Sequence, residues 1–192
     1  MPLSKASPRK LLHTREVVCR GYLRDDGLWD IEGSITDIKA YSSPHKPAGE
    51  PIHHMLIRLT VDNELVVQNA EVSTEAAPHT ICGQVAPNYQ ALKGLRVKAG
   101  WRQSVLERLG GAHGCTHITD VLVGPLAVTA VKTVLRWLNP DPEKQYDPAV
   151  RPKLLDSCYA LRGDGPVAKR RWPGHYTGPQ SGQSGAAGQD SD

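Results

Sequence analysis

The chain has 192 residues, 39% of them hydrophobic, and a formal net charge of +3. That suffices for one core plus tails, but no apolar run reaches the roughly 20 residues of a membrane-spanning helix, so no membrane partner is expected. The positive charges are interspersed with acidic ones, which gives nucleic acid no footing, and the N-terminal stretch lacks the apolar centre of a signal peptide, so a cytoplasmic location is expected.

Residues 1–13 read as a flexible lead-in, and residues 14–178 as a single α+β domain. A first strand is predicted over 17–23, followed by a turn at Asp25-Asp26-Gly27. Residues 28–39 then alternate: Trp29, Ile31 and Ile35 face one way, while Asp30, Glu32, Ser34 and Thr36 face the other. Pro44, Pro47, Gly49 and Pro51 mark a loop. A second alternating strand spans 53–61, with His53, Met55, Ile57, Leu59 and Val61 on one face. Asp62-Asn63 turns the chain into a return strand over 64–73.

The period then changes. A short helix is predicted over 87–93, ended by Gly94, and another over 101–109, stopped by Gly110-Gly111. A long helix over 116–138 carries a stripe of Leu122, Leu126, Ala130 and Trp137, with a kink or restart expected at Gly124-Pro125. Asn139-Pro140-Asp141-Pro142 should end it, and 154–161 reads as a last short element. The Gly/Ser/Gln-rich stretch 179–192 should be a disordered tail. Strands first and helices second predict an antiparallel sheet covered by helices from the C-terminal half.

The chemistry concentrates at Gly114-Cys115-Thr116-His117, where a thiol and an imidazole open the long helix. A helix N-terminus lowers a thiol pKa, and cysteine and histidine are preferred zinc ligands. His53 starts a strand and Cys82 follows the last one, so a tetrahedral His₂Cys₂ site of His53, Cys82, Cys115 and His117 is chemically reasonable. There is no CxxC pair and no HExxH. A metal-free thiol site, or small buried cysteines with locally bonded histidines, are the plainer alternatives. His13, His45, His79, His113 and His175 fall in predicted loops and read as solvated; Cys19 and Cys158 read as structural.

A second candidate is the strand pair Asp30 and Glu32, whose carboxylates share a face about 7 Å apart and suit acid–base work. A hydrated outer face is the alternative. Arg58 can pair with them from the neighbouring strand, or bind a substrate carboxylate with its planar fork. Lys169-Arg170-Arg171-Trp172 reads as a solvated edge or a clamp.

Four strings carry a family resemblance: Gly21 through Gly33, Ile52-His53-His54-Met55, Gly114-Cys115-Thr116-His117 and Leu155-Asp156-Ser157-Cys158. With them the chain resembles a bacterial family of unknown function over roughly residues 13–178. His54 stands where that family often has aspartate, which argues against an acid at this position. The order of hairpin, cysteine, short helix, second cysteine and long helix also resembles the iron–sulfur cluster assembly scaffolds. That likeness implies that Cys82 and Cys115 match the scaffold's middle and last cysteines, and that His53 lies near its aspartate. Pro51 stands at about the place of the scaffold's first cysteine, which argues against cluster assembly.

The expectation is therefore a small cytosolic metal-dependent enzyme using zinc or ferrous iron as a Lewis acid. It would be a lyase or hydrolase acting on a small aromatic, carboxylate or acyl compound. Asp30 or Glu32 would transfer the proton, and Arg58 or Trp29 would bind the small-molecule substrate. The alternatives are a metal or iron–sulfur carrier without catalysis and a partner-binding module; a homo-oligomer is left open.

Overall fold

The computed structural model describes residues 2–44, 46–140 and 147–179. The predicted tail beyond Pro179, the Asp141-Pro142 stop and His45 lie outside these residues. The chain divides into two compact units, one through Leu138 and one from Asn139.

The first unit is α+β. Strands β1 (His13–Leu23), β2 (Trp29–Lys39), β3 (Pro51–Val61) and β4 (Val67–Ala76) form an antiparallel meander in the order β1-β2-β3-β4. Alternation decides which face is buried. On β2, Trp29, Ile31, Gly33, Ile35 and Asp37 all point to the core, and Met55, Ile57, Leu59 and Val61 do so on β3. β1 begins four residues earlier than predicted, because His13 and Arg15 are paired into the sheet opposite Lys39 and Asp37. β4 begins later than predicted, because Asp62 ties up the turn: its Oδ1 accepts hydrogen bonds from the amides of Val66 (2.8 Å) and Glu64 (3.0 Å).

Helices cover the inner face. A 3₁₀ run, Thr80–Leu92, replaces the predicted helix over 87–93. Pro87 reads as a helix start in sequence, but here it sits inside the run, which is tied to β4 through Gln90 Nε2 donating to the Ala70 carbonyl (2.6 Å). Helix α1 (Trp101–Leu109) has the predicted bounds. The long helix is continuous over Thr116–Leu138 and has three parts: α2 (Thr116–Val121), a π turn (Leu122–Leu126) and α3 (Ala127–Leu138). The π turn is the predicted irregularity at Gly124-Pro125. Pro125 has no N–H to donate, so the helix widens there. The Trp101 indole N–H donates to the Leu122 carbonyl in this turn (2.9 Å).

This helix corrects one expectation. It is 23 residues long and its most apolar stretch has a mean hydropathy of 1.6, enough to cross a membrane by length and composition alone. No uninterrupted apolar run marks it in sequence, because the helix spreads its apolar residues between polar ones. Ile118, Val121, Leu122, Leu126, Ala130 and Val134 are buried in the core formed with the sheet. Two glycines on the inner face allow the close approach. A Cβ on Gly33 would lie 2.7 Å from Val121 Cγ1, and one on Gly21 would overlap the Thr133 side chain.

The second unit has a small apolar cluster of Leu155, Ala168 and Trp172, with Leu161 and Tyr176 against it. Its only α-helix among the described residues is α4 (Pro166–Arg171), which carries the basic run Lys169-Arg170-Arg171. The predicted element over 154–161 is reduced to a 3₁₀ turn at Tyr159–Leu161, and Cys158, expected to be structural, is exposed.

Candidate metal centre

A charged row crosses the inner face at the far end of the apolar stripe. Arg15 on β1, Asp37 on β2 and His53 on β3 are direct cross-strand neighbours. The register shifts just after Asp37, the kind of bulge that re-aims side chains beside a site. Asp37 is 1% exposed and receives a forked pair of hydrogen bonds from Arg15: Nε to Oδ1 (2.7 Å) and Nη2 to Oδ2 (2.8 Å). His13 Nε2 lies 3.1 Å from Oδ1, and His53 Nδ1 lies 3.2 Å from Oδ2.

His117 enters from the first turn of α2, with its Nε2 3.7 Å from Asp37 Oδ2. Its ring lies against that of His53, with centroids 3.9 Å apart and the planes tilted by 33°. Its other nitrogen, Nδ1, lies 3.7 Å from Cys115 Sγ. Cys115 is the N-cap of α2, and buried Tyr89 holds it there: the Tyr89 hydroxyl accepts the Cys115 amide (3.0 Å). Asp37, His53 and His117 each offer one ligand atom, all within 4.8 Å of one another. These three residues could hold a metal ion.

The electrostatics suit such a site. The Arg15 guanidinium beside Asp37 holds its carboxyl far below the usual carboxylate range, against the opposing cost of burial. Burial pushes the His117 imidazole below its ordinary 6.5, and the neighbouring His53 and Arg15 add to the effect. The result is an ionised carboxylate beside an imidazole that favours its neutral, ligating form.

Both shifts have the same sign in stability. A group with a depressed native pKa stabilises the fold above its unfolded value and loses that contribution as pH falls through its native value. Resistance to urea, measured without added metal, should therefore fall first below about pH 6.5, from His117, and again below about pH 3.8, from Asp37. His117→Ala should remove the first slope; if the slope persists in that variant, His117 is not its source.

The four predicted ligands line one pocket of about 610 Å³: His53, Cys82, Cys115 and His117, beside Gln84 and Asn88. His53 and His117 belong to the metal-holding group, Cys115 stands behind His117, and Cys82 lies on the wall in the 3₁₀ run. The other half of the predicted site is elsewhere. Asp30, Glu32 and Arg58 are on the opposite face of the sheet, because strand side chains alternate. There Arg58 donates to Glu32 Oε1 through Nε (2.9 Å) and Nη2 (2.7 Å), so the cross-strand pairing is the alternative realised. Asp30 accepts from the Thr60 hydroxyl (2.7 Å). Trp29, the expected substrate contact, is 2% exposed in the core, with its indole N–H donated to Asn63 Oδ1 (2.9 Å). None of these four residues lines the pocket of His53 and His117.

Three members were missed in sequence: Asp37, Arg15 and His13. His13 falls at the end of the stretch that reads as a flexible lead-in, but it opens β1. The signal for Asp37 was present. It continues the 29-31-33-35 stripe, and a carboxylate on an apolar face needs a partner.

Fold and site together define an α+β protein with a candidate two-histidine, one-carboxylate centre at the end of its sheet. The family DUF2889, described as a protein of unknown function, matches residues 13–132, and the chain belongs to it. No curated protein and no solved structure matches.

Proposed function

We propose that this protein is a metal-dependent enzyme that holds one divalent ion, zinc or ferrous iron, through Asp37, His53 and His117. The observation that carries this reading is the convergence of three ligand atoms within 4.8 Å, one on the buried Asp37 carboxylate and two on His53 and His117, which line a pocket large enough for a small molecule. Two imidazoles and a carboxylate suit hydrolytic zinc and non-haem iron alike, and leave coordination positions open. Bound there, the ion supplies Lewis-acid chemistry to a lyase or hydrolase reaction on a small aromatic, carboxylate or acyl compound.

The chain's own groups have separable tasks. Arg15 and His13 hold the Asp37 carboxylate and keep it ionised. Cys115, at His117 Nδ1, orients that ring so that Nε2 faces Asp37. Gln84 and Asn88 offer polar contacts on the pocket wall, and Val85, Ile81 and Met55 offer apolar area. With Asp30 and Glu32 on the other face, proton transfer falls to groups in the pocket itself.

Metal analysis of the purified protein tests the reading. About one zinc or iron per chain is expected, lost in His53→Ala and His117→Ala, and retained in Cys82→Ala. A protein that takes up neither ion when each is supplied in excess would sink it. The second reading, a metal or iron–sulfur carrier, is favoured by the two thiols Cys82 and Cys115 on the same pocket. It requires an oxygen-sensitive brown chromophore that both cysteine variants abolish.

A further inference from the structure

Strand β1 is an edge of the sheet. It pairs with β2 on one side, and no described strand lies on the other. A long edge with free backbone donors and acceptors is a template for another strand unless charge, proline or a cover blocks it. β1 has no proline, and its apolar side chains are open: Val17 is 41% exposed, Val18 38%, Tyr22 45% and Leu23 49%. The same side of the unit also shows open apolar groups on α3, which packs over Gly21 through Thr133: Val128, Val131 and Leu135.

The charges on this edge select the partner. Glu16 and Arg20 are both exposed, neither makes an ion pair with a described residue, and they stand symmetrically about Val18 on the outer face. We infer that β1 pairs antiparallel with β1 of a second copy of this chain, about a two-fold axis at Val18. In that register Glu16 faces the partner subunit's Arg20 and Arg20 faces the partner subunit's Glu16. Val18 meets its own counterpart, Thr14 faces Tyr22, and Val17 faces Cys19. No like charges are opposed in this register, the Glu16–Arg20 pairs attract, and Val18–Val18 and Val17–Cys19 are apolar, as an isologous interface requires. A foreign strand would have to reproduce this pattern, whereas a second copy carries it already. The pairing joins two four-stranded sheets into one and removes two open edges. It rests on β1 alone and is independent of any metal.

Charge reversal tests the register. By sedimentation equilibrium of the full chain, the wild type is expected to be a dimer. Glu16→Arg and Arg20→Glu should each turn two attractive pairs into repulsive ones and weaken the dimer at least about tenfold. The double variant E16R/R20E should restore it, and mixing the two single variants should give a heterodimer, since one then carries two arginines and the other two glutamates. Circular dichroism checks that each variant is folded. A monomeric wild type, a dimer indifferent to either reversal, or a loss that neither the double variant nor the mixture repairs would each overturn the inference.

Discussion

Asp37→Asn is expected to abolish metal binding and to leave a folded but weakened protein. The substitution keeps the shape and removes the charge that three elements converge upon: Arg15 and His13 from β1, His53 from β3 and His117 from α2. An amide can still accept with its oxygen, but its NH₂ then faces donors of Arg15 or His53, and a buried donor without an acceptor is costly. Breaking a fully buried ion pair costs about 3–5 kcal/mol. Arg15 is 43% exposed and water recovers part of that loss, so about 2 kcal/mol is expected. Urea unfolding in the presence of a chelator measures the stability change. Titration with zinc or ferrous iron measures affinity, which should fall at least about a hundredfold, beyond the 10–100-fold of an outer-shell partner. Wild-type affinity in this variant would remove Asp37 from the ligand set.

Gly33→Val should damage the same site from a distance. Gly33 lies on the core face of β2 beneath the join of α2 and the π turn, where a Cβ would come within 2.7 Å of Val121 Cγ1, 3.0 Å of Leu126 Cδ1 and 3.3 Å of Ile57 Cγ2. Valine adds two methyls beyond that Cβ, so the helix must lift or the strand must bend. Overpacking of this kind costs about 1–3 kcal/mol. At roughly 3 °C per kcal/mol, the melting temperature should drop by about 3–9 °C. Lifting α2 also moves His117, which it carries, relative to Asp37 and His53, which the sheet carries. Metal affinity should therefore fall although no ligand is altered. Unchanged affinity in the destabilised variant would show that α2 is positioned by its N-terminal contacts, such as Tyr89 with Cys115, and not by the floor at Gly33.

Local pattern accounts for much of this architecture. The period-two stripe beginning at Trp29 and Ile31 and the one at Met55 and Ile57 mark β2, β3 and their buried faces, because alternation is a property of the strand itself. α1 was legible to the residue, bounded by Trp101 and the Gly110-Gly111 stop. Asp25-Asp26-Gly27 turned as its chemistry requires, with Gly27 at φ +81°. The helix irregularity was legible at Gly124-Pro125. His117 is legible because it opens a helix beside the Cys115 thiol, and His53 because it starts a strand on its apolar face, both being residue types that ligate metals.

What the amino-acid order determined by itself was thus the elements, their buried faces and the two imidazoles. Only the tertiary structure decided which side chains share a centre. Asp30 and Glu32 look like catalytic carboxylates in sequence because they are close in the chain, yet the pleat turns them away from His53. Asp37 looks like one more strand residue, yet it meets Arg15 because 22 residues fold back into register beside it, and His117 because a helix 80 residues later lands on the same end of the sheet. Strand and helix periodicities act over a few residues and leave a one-dimensional trace. Register between strands and the seating of a helix are set by packing between distant segments, which leaves none.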